Sequence, residues 1–220
     1  MEPTAPAQET VRDPGTRDPR RALLLWGLGV LAVSALTVVG LATRQRQLPP
    51  PVIAQLPDFA LTHYDGSTVT RQDLLGAPWI ADFIFTRCPA ICPRMTSQMS
   101  RVEDRLGEGS PVKIVSFSVD PEHDTPEVLA RYAEEHGAGD GWYFLTGDVD
   151  AIHTLSRKGF LLGVDASPPA EQAAGDGPIL HSNRFVLVDA ESRIRGYYDP
   201  FDEADLDRLL GDIATLLAGR

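Results

Sequence analysis

Short apolar runs separated by polar turns predict alternating strands and helices over residues 58–217. Residues 79–85, WIADFIF, and 112–119, VKIVSFSV, are apolar enough for buried central strands. The pair Asp65-Gly66 between two alternating runs predicts a β-hairpin. The same periodicities predict the remaining elements, which are helices at 93–106, 125–135, 149–158 and 203–217, a strand at 142–145, a short extended piece at 160–164 and a second hairpin at 184–198.

The order of these elements limits the fold class. A β-hairpin comes first, strands then alternate with helices, and a second hairpin precedes the final helix. Such an order builds an α/β fold with a mixed sheet flanked by helices, and short right-handed crossovers narrow the choice towards a thioredoxin-like fold. With 220 residues, the chain has room for one such domain plus extensions.

A longer apolar segment, residues 22–43, precedes the predicted domain and contains no charged residue. At ~1.5 Å per residue, a helix of this length crosses about one bilayer core. Basic residues are more numerous before the segment than directly after it, so the positive-inside rule places the tail at 1–21 in the cytoplasm. We therefore expect one N-terminal transmembrane helix in the bacterial inner membrane, with the C-terminal domain in the periplasm.

Two other targeting interpretations stay open. Small residues at 40–42 offer a cleavage site for a signal peptide, and Arg20-Arg21 ahead of the apolar run is a weak twin-arginine signal. The apolar run is longer than the usual signal-peptide core of ~7–15 residues, which favours an uncleaved anchor. A mitochondrial transit peptide is disfavoured, because acidic residues interrupt residues 1–21.

Composition changes this picture in one respect, since it excludes a class of partner. The net charge of -11 disfavours a protein that binds nucleic acid through its phosphates.

Residues 44–57, RQRQLPPPVIAQLP, predict a stiff proline-containing linker that leads to a domain at 58–220. Residues 165–178, DASPPAEQAAGDGP, are typical of a mobile loop inserted before the second hairpin.

The two cysteines, Cys88 and Cys92, come where a buried strand ends and a helix begins, in FIFTRCPAICP. Pro93 suits the first helical position and makes Cys92 the predicted N-cap, so the helix dipole and nearby arginines favour a Cys92 thiolate. A loop this short brings both Cα atoms within disulfide reach of ~4.4–6.8 Å. A static disulfide is the other interpretation, but closing so short a loop restricts the unfolded chain little. We therefore predict a redox-active pair that can also bind a metal.

One histidine and two carboxylates are candidates to join the cysteine pair. His181 lies between the inserted loop and a strand, at the sheet edge where loops converge on the cysteines. Two thiolates and an imidazole select Cu(I) and tolerate Cu(II), while zinc stays open on donor chemistry alone. Asp120 and Asp124 either orient His181 or a water molecule, or cap a turn or helix. Met95 and Met99 have helical spacing and are assigned to the core rather than to a thioether site.

Three motifs, FTRCPAICP, SVDPEHDTPEVLARYAEEHG and ILHSNRFVLVD, resemble those of the Sco/SenC family of membrane-anchored copper chaperones for cytochrome c oxidase, in the same order and over about residues 55–217. The resemblance implies a thioredoxin-like fold and one copper ion per domain, bound by Cys88, Cys92 and His181, with Asp120 near the site. The loop at 165–178 departs from the family in length and composition, so the approach of His181 to the cysteines is adjustable.

The resemblance also implies two roles towards the dinuclear copper centre of oxidase subunit II. The chain either delivers copper to that centre as a chaperone, which is not an enzyme, or acts as a periplasmic thiol-disulfide reductase on its cysteines. Other copper chaperones and thiol-disulfide reductases of the periplasm are further expected partners. The two roles compete for the same sulfurs, because a disulfide cannot bind copper through thiolates. A thiol peroxidase is disfavoured, since Thr86 and Asp82 do not match the PxxxTxxC spacing of such sites.

Overall fold

The computed structural model describes residues 48–162 and 183–219, and the structural statements below concern these residues. The expectations for the tail at 1–21 and the apolar segment at 22–43 lie outside the described residues. So do those for the loop at 165–178 and for His181. Among the helices that are described, none combines the length and the apolar character needed to cross a bilayer.

Eight β-strands form one sheet in this part of the chain. In chain order they are β1 Ala54–Gln55, β2 Ala60–His63, β3 Thr68–Thr70, β4 Trp79–Ile84, β5 Lys113–Ser118, β6 Trp142–Thr146, β7 Phe185–Val188 and β8 Arg193–Tyr198. Their order across the sheet is β1-β8-β7-β4-β5-β6-β2-β3. The pairs β4–β5 and β5–β6 are parallel and the others antiparallel, so the sheet is mixed, as predicted.

Four α-helices accompany the sheet in the described ranges. They are α1 Ile91–Leu106, α2 Pro126–Glu135, α3 Val149–Thr154 and α4 Glu203–Ala218, with a 3₁₀ turn at Arg71–Leu74 and a π-helical turn at Leu155–Gly159. The side chain of Thr125 accepts the N–H of Val128 and Pro126 occupies the first turn, so the predicted start of α2 is confirmed. The predicted helix at 149–158 is present, but its second half has π-helical hydrogen bonding.

The central strands carry the core that supports the cysteine loop. Phe83 on β4 stacks on Phe117 of β5 with ring centroids 5.0 Å apart, and Phe160 packs edge-on against Phe83. Met95 and Met99 on α1 are buried, which confirms their assignment to the core. Burying one such side chain contributes roughly 1.5–3 kcal/mol. The strand that precedes the cysteines is therefore firmly held along its whole length.

Both predicted hairpins are confirmed. β2 and β3 pair around a turn in which Gly66 has φ 85°, a left-handed conformation that favours glycine. β7 and β8 form the second hairpin. Each was predictable because two alternating runs flank a short polar turn.

The N-terminal edge of the sheet contains a strand that the sequence pattern does not predict. Ile53 N–H donates to Ile194 O at 2.8 Å, and β1 pairs with β8. The buried guanidinium of Arg195 donates to Pro50 O and pairs with Asp189. The end of the predicted linker is therefore bound to the sheet edge.

Candidate metal centre

The cysteine loop connects the end of β4 to the start of α1. Cys88 N–H donates to Phe85 O at 3.2 Å, which turns the chain after the strand. Helix α1 has Ala90 as its N-cap, so Cys92 lies within the first helical turn. The prediction of Cys92 as the N-cap is wrong. Pro93 fits the third helical position equally well, because the first four N–H groups of a helix have no partner within it.

The start of α1 directs its N–H groups to the sulfur of Cys88. Cys92 N–H donates to Cys88 Sγ at 3.3 Å. The Cys92 thiol and the N–H groups of Cys92, Ala90 and Ile91 lower the pKa of Cys88 to about 5. The shared hydrogen bond and burial raise the pKa of Cys92. The prediction of a Cys92 thiolate is therefore wrong, and Cys88 is the more acidic sulfur, because a side chain inside the first turn does not face those N–H groups.

The two sulfurs form a buried pair of soft donors at the start of α1. Cys88 and Cys92 are free thiols with 6% and 2% of their surface exposed. Soft thiolate donors suit Cu(I) as well as zinc, so the residues present fit a copper ion. In residues 48–162 and 183–219, no group of three Cys, His, Asp or Glu side chains is placed to hold a metal. The predicted third ligand, His181, lies outside those ranges.

Asp120 reaches the cysteine loop through an arginine. Its carboxylate accepts from Arg87 Nε at 3.0 Å and from Arg87 Nη2 at 2.7 Å, directly before Cys88. The Arg87 side chain is 57% exposed, and a pair of this kind contributes little stability, typically about 0–1 kcal/mol. The structure therefore places Asp120 beside the candidate site, while its predicted role towards His181 stays a prediction.

Asp124 makes the stronger connection to the cysteine loop. Its buried carboxylate accepts the backbone N–H of Thr86 at 3.1 Å, the Thr86 hydroxyl at 2.5 Å and the Ser118 hydroxyl at 2.5 Å. Helix α2 is capped by Thr125, so the interpretation of Asp124 as a helix cap is wrong. The sequence does not indicate this contact, because Thr86 and Asp124 are 38 residues apart.

A buried polar group on β4 completes the surroundings of the pair. Asp82 has no exposed surface, and neither carboxyl oxygen has a hydrogen-bond partner in the described residues. Burial raises the pKa of Asp82 to about 7. Thr96 Oγ1 donates to Cys92 O at 3.0 Å and accepts the hydroxyl of Tyr132 at 2.8 Å. The charge of Asp82 contributes to the raised pKa values of Cys92 and Tyr132, so the three groups are electrostatically coupled.

Comparison with known proteins gives consistent matches over the described domain. The SCO1/SenC family model matches residues 51–218. The SCO1 protein homolog of Bacillus subtilis is 32% identical over 173 residues, which are 77% of this chain and 86% of that protein.

Two solved structures extend the comparison to the fold. BsSco, a member of the Sco family of cytochrome c oxidase assembly proteins in which a disulfide switch was identified, is 31% identical, with a TM-score of 0.66 over 77% of this chain and 98% of its own. ScoI of Bradyrhizobium japonicum, solved with copper bound, is 25% identical, with a TM-score of 0.61 over 74% and 99%. These similarities confirm the predicted thioredoxin-like α/β fold.

Proposed function

Because the chain belongs to the SCO1/SenC family, we propose that it is a copper-binding assembly protein for cytochrome c oxidase that holds one copper ion through Cys88, Cys92 and His181. The observation that carries the proposal is the pair of free thiols at the start of α1, with Cys88 Sγ 3.3 Å from Cys92 N. One structural relative belongs to a family of cytochrome c oxidase assembly proteins and another was solved with copper bound, which supports the proposal.

The proposal includes a location and a target. Residues 22–43 anchor the chain in the bacterial inner membrane, and the described domain lies in the periplasm and delivers copper to the dinuclear centre of oxidase subunit II. The uncharged apolar segment and the basic residues before it support the anchor. The hydrogen bonds from Arg195 to the carbonyl oxygen of Pro50 support a folded domain that begins within the predicted linker rather than at residue 58.

The two cysteines differ in their protonation before copper binds. The pKa of Cys88 is lowered to about 5, so this sulfur is a thiolate at neutral pH and is ready to bind the ion. The pKa of Cys92 is raised, so its thiol must release a proton as it becomes a ligand. Loading one Cu(I) at neutral pH therefore releases about one proton from the pair.

A copper titration of the reduced full-length protein in detergent tests the ligand set. We expect one equivalent of Cu(I) to bind, Cys88→Ser and Cys92→Ser to abolish tight binding, and His181→Ala to weaken it at least about tenfold, or about 1.4 kcal/mol. The exposed His123 provides the matched control His123→Ala, which should bind like the wild type. Equal affinity of the His181→Ala and His123→Ala variants would remove His181 from the ligand set. A parallel zinc titration decides between the two metals.

Thiol-disulfide reduction is the second candidate function, and the unequal pKa values of the two thiols favour it. An acidic Cys88 beside a protonated Cys92 matches the attacking and resolving thiols of an exchange reaction. A disulfide-bonded peptide that carries the two cysteines of the oxidase centre is the substrate for the test. A reductase keeps its rate in His181→Ala and loses it in Cys88→Ser, whereas a protein that only carries copper reduces the peptide slowly in every variant.

A further inference from the structure

The turn at 118–124, between β5 and α2, holds the residues that lead into the cysteines. Ser118 ends β5 directly opposite Ile84 at the end of β4, and Val119 N–H donates to Ile84 O at 2.8 Å. Beyond this point the sheet pairing stops. Past the end of β4, the carboxylate of Asp124 holds the chain instead. It accepts hydrogen bonds from both the N–H and the hydroxyl of Thr86, two residues past the strand.

The Asp124 carboxylate is held by uncharged donors. It is fully buried, and no ion pair of Asp124 occurs among the described residues. Its hydrogen bonds come from Thr86 and Ser118. A buried carboxylate that loses a donor is left partly unsatisfied, which costs free energy. The chain around Thr86 is therefore strongly constrained to the position that satisfies Asp124.

This constraint differs from the contact that Asp120 makes with Arg87. The Arg87 side chain is more than half exposed, so its pair with Asp120 tolerates movement of the loop. Asp124 binds the backbone as well as the side chain of Thr86, and a bond to the backbone fixes the path of the chain. Only Arg87 stands between Thr86 and Cys88, so the fixed position of Thr86 leaves little freedom for the Cys88 sulfur that faces the helix.

We propose that Asp124 is a positioning residue of the cysteine pair, which acts through Thr86 to hold Cys88 against the start of α1. The inference deepens the proposed function, since a copper ligand must be held in place before the ion arrives. It also applies to disulfide formation, because both reactions need Cys88 and Cys92 at a fixed separation. The test therefore uses the metal-free protein first.

Thr86→Val removes the hydroxyl donor while keeping the size and branching of the side chain. Thr86→Ser keeps the hydroxyl. The matched control is Thr70→Val, since Thr70 also donates its N–H and its hydroxyl to one carboxylate, that of Asp73, at 2.8 and 2.6 Å. Thr70 lies on β3 at the edge of the sheet, four strands away from β4.

The measurement is the equilibrium constant for exchange between the reduced pair and glutathione disulfide in the full-length protein, which yields the protein disulfide and two glutathione thiols. We expect Thr86→Val to lower this constant about tenfold, because the disulfide needs Cys88 at a fixed separation that the reduced pair does not need, so the lost hydrogen bond costs the disulfide form more. Thr86→Ser and Thr70→Val should stay within about twofold of the wild type. A purely structural role would destabilise the reduced and disulfide forms equally and leave the constant unchanged.

The exchange constants of these variants decide whether Asp124 positions the pair. A constant that is unchanged or raised in Thr86→Val, or lowered equally in Thr70→Val, overturns the proposal. The copper affinity of the same variants is measured separately, and it should fall with the exchange constant in Thr86→Val. If the wild-type protein binds no copper, the proposed function fails, while the exchange constants still decide whether Asp124 positions the pair.

Discussion

The buried carboxyl group of Asp82 should make the domain less stable as the pH rises. Asp82 lies in the middle of β4 without exposed surface, and its oxygens have no hydrogen-bond partner in the described residues. Burial raises its pKa to about 7. The hydroxyl of Ser116, aligned with it on β5, lowers the pKa of Asp82 by less than burial raises it. The charged form is therefore disfavoured in the folded protein.

The magnitude follows from the two pKa values. The carboxyl ordinarily ionises near pH 3.8, and in the folded chain near pH 7. Below pH 3.8 both states are protonated, and between the two values the folded chain keeps a proton that the unfolded chain has lost. The free energy of unfolding therefore falls across this interval and levels off above pH 7. The total loss is at most about 4 kcal/mol, of which more than half falls between pH 5 and pH 8.

Asp82→Asn keeps the size of the side chain and removes its titration. Relative to the parent, we expect the variant to gain about 2–3 kcal/mol in free energy of unfolding between pH 5 and pH 8. Urea unfolding followed by tryptophan fluorescence measures this difference at each pH. Both proteins carry Cys88→Ser and Cys92→Ser, because Cys88 titrates in the same range and Cys92 is coupled to Asp82.

A control and a contrary result define the test. Asp73 is an exposed carboxylate whose pKa is lowered by its hydrogen bonds with Thr70, so it stays ionised from pH 5 to pH 8 in both states. Asp73→Asn should therefore change the stability by the same amount at every pH in this range. If the Asp82→Asn profile also runs parallel to that of the parent, burial does not set the protonation of Asp82 and the reasoning fails.

Three further predictions follow from individual contacts. Iodoacetamide at pH 6 should alkylate Cys88 before Cys92, because only the first has a lowered pKa, and peptide mass spectrometry will show the order. Arg195→Leu should cost about 1–3 kcal/mol in urea unfolding, since the buried Asp189 loses one charged donor and keeps its pair with Arg193. Thr125→Ala should cost about 1 kcal/mol through the lost cap of α2 and leave the copper affinity unchanged.

The parts of the fold that could be predicted are those with a local signal. Alternation around Asp65-Gly66 and the apolar run at 79–85 each determine one element without help from distant residues. Strand β1 has only two residues, and its place depends on pairing with β8 and on the binding of Arg195 to Pro50. A segment of two residues is too short to show an alternation of apolar and polar positions, and its partner strand is distant in the sequence.

The same distinction applies to the cysteine site. The proximity of Cys88 and Cys92 could be predicted from their spacing, because a short loop between a strand and a helix confines them. Which sulfur is acidic could not, since it depends on whether α1 begins at Pro93 or at Ile91, and proline is compatible with both. A shift of two residues at the start of the helix changes which side chain receives the free N–H groups.

The two buried carboxyl groups near the cysteines act by different physical means. Asp124 has hydrogen-bond donors from two chain segments and can therefore fix the position of the loop, whereas Asp82 has none among the described residues and can act only through its charge and its proton. They share no hydrogen-bond partner. The effects of Thr86→Val and Asp82→Asn on the free energy of unfolding should therefore add within about 0.5 kcal/mol. Only the Asp82→Asn contribution should grow between pH 5 and pH 8, since the Thr86 hydroxyl does not titrate there.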